Sequence, residues 1–151
     1  MAATANIALH HVRGEMSEYP QAAAKIYEGA MLGDSSGYAH GLTAGDPFIG
    51  HAAEYYDNSG GSAGDHKIQR YRGRYRLQVT LSGVLITDVG KTVFASADDT
   101  LTLTAGVNSR VGVVERYVTT DTAIVEFQTN EIEEITSDLT AVLSNLVTIG
   151  G

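Results

Sequence analysis

The sequence contains no cysteine. That excludes disulfides, thiolate metal sites and cysteine nucleophiles, so stability has to come from packing and hydrogen bonds, with oligomerisation as a further option. It also leaves the redox compartment unread. Proline occurs only at Pro20 and Pro47, too rarely for a proline-rich linker or a disordered tract. No apolar run approaches the ~20 residues of a membrane-spanning helix. Met1 to Gln21 carries His10, His11, Arg13, Glu15 and Glu18 where a secretory signal would need an apolar core, so synthesis in the cytoplasm is expected. Positive charge is scarce: 10 Lys and Arg stand against 18 Asp and Glu, a formal net charge of −8. Such a chain repels phosphate backbones, so neither nucleic acid nor a membrane is expected as a partner.

What is present fits one globular domain. The chain has 151 residues, 43% of them hydrophobic, and a domain of that size buries roughly 70% of the surface of its unfolded chain. Three regions differ in character. Residues 1–24 are Ala-rich and polar with weak periodicity, and read as an extended N-terminal arm; a short helix over Tyr19 to Lys25 is the alternative. Residues 25–129 form a series of short β-like runs divided by Gly, Asp and Asn. Residues 130–151 change period: Ile132, Ile135, Leu139, Val142, Leu143 and Leu146 recur at steps of three and four, one face of a helix. Asn130 and Glu133 resemble a capping box, while three threonines and Ser137 weaken the helix. This tail is expected to dock on the core or on a neighbouring subunit.

Within the middle region, Lys25 to Gly33 reads as one strand, with Ile26, Glu28 and Ala30 opposite Tyr27 and Met31. Asp46-Pro47 opens a run over Phe48 to Ala52, and Asp57 to Asp65 is a flexible loop by composition. Arg74 to Leu81 alternates Tyr75, Leu77, Val79 and Leu81 against Arg76, Gln78 and Thr80, a half-buried strand with one wet face. Ser82-Gly83 turns the chain. Leu85-Ile86, Thr92 to Ala95, Thr100 to Thr104, Arg110 to Val118 and Ala123 to Phe127 follow as further short runs. Many short strands at about ten-residue intervals indicate an all-β barrel or sandwich.

The order of these segments carries a resemblance. Lys25-Ile26-Tyr27-Glu28-Gly29-Ala30-Met31 is followed by Gly41-Leu42-Thr43-Ala44-Gly45-Asp46-Pro47-Phe48-Ile49-Gly50-His51-Ala52 and by Tyr56-Asp57-Asn58-Ser59-Gly60-Gly61-Ser62-Ala63-Gly64. Leu85 to Thr100 contains Asp88-Val89-Gly90-Lys91-Thr92-Val93-Phe94-Ala95-Ser96, and Val111 to Val114 and Ala123 to Phe127 close the pattern. Taken together in this order, residues 25–129 resemble the capsid cement, or head decoration, proteins of tailed bacteriophages. The resemblance implies a compact, β-tulip-like fold on the outer surface of the virion capsid. Its expected partner is the major capsid protein, its expected state a homotrimer at three-fold or quasi-three-fold positions, and its task head stabilisation. It implies no cofactor and no enzymatic activity. A carbohydrate- or receptor-binding head fibre module is the alternative. It would need exposed aromatic faces, for which Tyr38, Tyr55 and Tyr56 are available and Trp is not.

Charged clusters are the remaining leads. Arg70, Arg72, Arg74 and Arg76 alternate with Tyr71, Gly73 and Tyr75, so an extended chain places four guanidinium groups on one face and the tyrosines on the other. This strip suits carboxylates on the shell or on a neighbouring subunit, since the guanidinium fork makes paired bonds to them. A solvated face with weak ion pairs is the alternative, and a break of the strand at Gly73 would scramble the faces. Glu131, Glu133, Glu134 and Asp138 are possible partners for the arginines, although a helix dipole alone accounts for acids there. The arm is a candidate for strand addition to a capsid-protein sheet. His10, His11, His40, His51 and His66 show no metal-ligand spacing. Gly90-Lys91-Thr92 ends like a phosphate loop, but Leu85 stands where the first Gly is required, so it reads as a turn into a strand. Ser, His and Asp occur without a Gly-x-Ser-x-Gly elbow. No catalytic, cofactor-binding or metal residue is expected.

Overall fold

A computed structural model of the chain describes residues 3–6 and 10–129. Its strands are β1 (His10–Pro20), β2 (Lys25–Ile26), β3 (Met31–Ser35), β4 (Tyr38–Gly41), β5 (Phe48–Ala52), β6 (Tyr56–Asp57), β7 (Lys67–Thr80), β8 (Thr92–Ala97), β9 (Thr100–Thr102), β10 (Ser109–Thr119) and β11 (Thr122–Gln128). A single 3-10 turn, Ile86–Asp88, is the helical element among the described residues. The protein is therefore mainly β, a curled antiparallel sheet forming a half-barrel. The expected tail helix over 130–151 lies outside the described residues.

The main sheet runs β4-β3-β5-β7-β11-β10-β8-β9, with β1 also on β7; β2 and β6 form a separate ribbon. β7 is the shared element. Tyr71 pairs with both Met16 and His51, and Arg76 with both Arg13 and Glu126. A strand has two edges, so β1 occupies one, while β5 and β11 follow each other along the other. The seam between them is tight. Thr129, fully buried, donates its backbone N–H to the Gly73 carbonyl and accepts the Gly73 N–H on its hydroxyl, both at 3.0 Å. Gly50, at φ 123°, lies against the Tyr71 carbonyl so closely that a Cβ would overlap it.

The curl brings the sheet ends together. Thr43 bridges Ala97, and the Met31 N–H donates to the Asp98 carbonyl at 2.8 Å. Inside lies the larger core, with Met31, Leu42, Phe48, Tyr75, Leu77, Leu81, Val93, Val111, Val125 and Phe127 buried together. Alternation sends Leu32 and Ile49, the neighbours of Met31 and Phe48, through to the opposite face. Leu32, Ile49, Ala52 and Ile68 join Ile26 and Ala39 in a second core. Each fully buried aliphatic or aromatic side chain contributes roughly 1.5–3 kcal/mol.

Several sequence-based expectations need correction. Lys25 to Gly33 is not one strand: Gly29, at positive φ, turns the chain between β2 and β3. Residues 10–20 of the expected arm form a strand on the protein's own β7, and no helix spans Tyr19 to Lys25. Leu85-Ile86 leads into the 3-10 turn rather than a strand. The loop after Asp57 is stapled from within: the buried Asn58 amide donates to the carbonyls of Ala22 and Ser62 at 3.1 and 3.0 Å. The buried Gln21 amide holds the carbonyls of Ala24 and Tyr56.

Candidate interaction surface

The arginine run was the sharpest charge signal in the sequence, and the structure divides it. The parity expected from an extended chain holds: Tyr71, Tyr75 and Leu77 face the larger core, and the four arginines take the other face. Gly73 does not scramble the faces. Between the pairs Arg13 with Arg76 and Glu15 with Arg72, residues 73–75 of β7 stand opposite Gly14 alone. This bulge adds two residues, an even number, and so preserves the alternation.

The four guanidinium groups nonetheless do not form one exposed strip. The second core covers the first half of that face. Arg70 is only 4% exposed, donates from Nη1 to the Ile49 carbonyl at 2.6 Å and lies 4.8 Å above the Tyr19 ring. Arg76 pairs with Glu115 at 2.8 Å. Arg72 is half-buried and Arg74 is exposed. The strip thus separates into a structural arginine, an ion-paired one and two nearer the surface. Glu131, Glu133, Glu134 and Asp138 lie outside the described residues.

Other polar groups in the interior are engaged locally. His51 and Tyr75, both buried, share a hydrogen bond of 2.7 Å between Nδ1 and the phenol oxygen, with Phe127 edge-on to His51 at 4.6 Å. Burial pushes the Tyr75 phenol well above its ordinary range, against the opposing effects of Arg70 and His51. Asp98 accepts the Ala3 N–H at 2.7 Å, and burial raises its carboxyl above the usual value. His40 pairs with Asp46 at 3.0 Å, and His66 with Glu54 at 2.8 Å. Among the described residues no group of three or more His, Cys, Asp or Glu is gathered to hold a metal ion. No helix among them is long and apolar enough to cross a membrane. Gly90-Lys91-Thr92 is a turn entering β8, with Lys91 on Asp88 at 2.7 Å.

Two groups of apolar or aromatic side chains at the surface stand close together in the chain among the described residues. Beside the β2–β6 ribbon, the half-buried Tyr27 and the exposed Tyr55 lie with ring centroids 5.6 Å apart. The neighbouring Tyr56 has one face covered by His66, stacked at 3.5 Å. The second patch is the 3-10 turn, where Leu85, Ile86 and Val89 are 57%, 71% and 48% exposed. Sequence periodicity missed this turn because its apolar residues resemble a short strand. The available signal was Asp88 followed by Gly90, turn residues inside the apolar run.

Comparison with protein-family models, with curated proteins and with solved structures finds no match to this chain.

Proposed function

We propose that the protein is a capsid decoration, or cement, protein of a tailed-phage head, bound to the outer surface of the expanded shell. One observation carries the reading. The segments whose order resembles the cement proteins, residues 25–129, are those that build β2 to β11, and that body packs one face of its sheet over the larger core and part of the other over the second. The buried side chains of Arg70, Gln21 and Asn58 hold strands and loops in place through bonds to backbone carbonyls. Such a body acts through the shape and rigidity of its outside.

The mechanism is linkage. A protein that binds the expanded lattice and not its separated subunits stabilises the lattice by about 2.7 kcal/mol per site at a free concentration of 100 Kd. Summed over many sites, this opposes the outward pressure of the packaged genome. The partner in this reading is the major capsid protein, the bound state is a trimer, and no enzymatic step is involved.

The test mixes the purified chain with expanded and with unexpanded empty heads of the encoding phage and sediments both. Saturable binding to expanded heads, with greater resistance of those heads to heat, is expected. Failure to bind expanded heads would overturn the proposal. Binding to host cells or to a glycan surface instead would favour a receptor-binding module. Of the aromatics that module requires, Tyr55 is available, whereas Tyr56 has one face already covered.

A further inference from the structure

We propose that residues 3–6 are a releasable strap across the seam where the curled sheet closes on itself. The seam lies between the β8–β9 turn and the start of β3. It is a thin joint: the Met31 N–H donates to the Asp98 carbonyl at 2.8 Å, and Thr43 bridges Ala97. By contrast, β7 and β11 share an unbroken ladder from Thr80 with Thr122 to Arg74 with Gln128. Residues of the larger core flank the seam, Met31 and Leu42 on one side and Val93 and Ala95 of β8 on the other.

The strap is fastened on both sides of that joint. At one end the Ala3 N–H donates to Asp98 Oδ1 at 2.7 Å, which ties it to the β8–β9 turn. At the other end Asn6 Oδ1 accepts the Glu28 N–H at 3.1 Å, which ties it to the turn before β3. The residue that receives Ala3 is the one that makes the seam. Asp98 meets β3 through its carbonyl and the strap through its carboxylate. Gly41 of β4 makes room for that reach: a Cβ there would come within 2.6 Å of Asp98 Oδ2, so the buried carboxylate lies where another residue's side chain would begin.

Release follows from how little else holds the segment. Ala3 is half-buried, and Thr4, Ala5 and Asn6 are exposed, so the strap buries little apolar surface. The bonds at its two ends have to offset the ordering of its backbone. Such a contact is close to balance and opens far more readily than the sheet beneath it. Closed, it links two turns whose parting would uncover the larger core. Open, it leaves the seam to its own bridge and backbone bond. The strap is a property of the free chain and does not depend on what the chain binds.

The test is amide hydrogen exchange of the full chain, read at Met31 and at Thr129. The Met31 N–H crosses the seam, whereas the Thr129 N–H bonds the Gly73 carbonyl elsewhere in the sheet. Ala3→Pro removes the donated N–H, Asn6→Ala removes the acceptor at the other end, and Thr4→Ala changes an exposed residue between the two. None of the three residues belongs to a core, so the variants should fold as the wild type does. Each end variant is expected to speed Met31 exchange severalfold, and the two together about tenfold, with Thr129 unchanged. Thr4→Ala should match the wild type at both amides. Unchanged Met31 exchange in the double variant would overturn the strap, since residues 3–6 would then lie over the seam without holding it. Equal acceleration at Met31 and Thr129 would overturn it as well, because the segment would then support the whole fold rather than this joint. So would an effect of Thr4→Ala as large as that of the end variants, which would show that the two bonds are not the fastenings.

Discussion

Gly50→Ala is expected to lower the melting temperature by about 10–15 °C. Gly50 occupies φ 123°, and a Cβ built there falls on the carbonyl oxygen of Tyr71. That oxygen is backbone, so it cannot swing aside as a side chain would. Relief requires β5 to move off β7, which would loosen the pairs of His51 with Tyr71 and Ala52 with Arg70. An L-residue in so sparse a backbone region costs about 1–3 kcal/mol, and overpacking adds about 1–3 kcal/mol. Their sum, centred near 4 kcal/mol, becomes the stated shift at roughly 3 °C per kcal/mol for a chain of this length. Gly37→Ala supplies the reference. Gly37 also has positive φ, at 91°, but nothing lies within 4 Å of its Cβ position. It should lose only the strain, about 1–2 kcal/mol. Thermal unfolding followed by circular dichroism, with urea midpoints as a check, compares the two. If they melt within about 3 °C of each other, the close approach of β5 to β7 is not the constraint argued here.

Other substitutions probe the interior. Arg70→Gln should cost roughly 2–4 kcal/mol in urea unfolding, through the loss of its bond to Ile49 and its packing on Tyr19; Arg74→Gln, on the exposed half of the same face, should stay within about 0.5 kcal/mol. Equal effects would restore the uniform strip. Tyr75→Phe should cost about 1–3 kcal/mol by leaving His51 short of a buried partner. Because burial raises the Tyr75 phenol, the unfolded chain loses its proton first, and wild-type stability should fall as pH rises above about 10; in Tyr75→Phe that fall should shrink. Asp98→Asn keeps an oxygen to accept the Ala3 N–H. Since burial raises the Asp98 carboxyl, its contribution is greatest at low pH and is lost as pH rises through its folded value. The variant should therefore gain on the wild type from about pH 4 to 7, and parallel urea midpoints across that range would refute the assignment.

Most of the strands were legible because alternation is a direct record of a half-buried sheet. Tyr75, Leu77 and Leu81 are all buried, as their spacing from Arg76, Gln78 and Thr80 indicated. The β3–β4 hairpin was missed, though Ser36-Gly37 with both φ positive is the two-residue turn such a hairpin uses. β1 was unreadable for a different reason: its residues are polar and β7 recruits them by backbone pairing, which needs no apolar pattern. The arginine run shows the limit most clearly. Local spacing predicted the correct face, but only the second core, assembled from Ile26, Leu32, Ile49 and Ile68 far apart in the chain, determines that Arg70 is inside. The exposed tip at Ile86 is likewise a matter of tertiary placement, since isoleucine in a sequence gives no sign of facing water.

The position of β7 has a consequence for how the molecule is made. Its fourteen residues are the common template for strands that come from both earlier and later in the chain. Strands on either side of it form ladders among themselves, but β1, β5 and β11 reach the common sheet only through β7, and these pairings join residues up to 68 positions apart, as His10 with Gln78. Folding should therefore be slow and all-or-none, with little native structure while the polypeptide is still growing on the ribosome. A truncated product would expose β7 as an open hydrogen-bonding edge, which makes incomplete copies prone to aggregation rather than to partial activity.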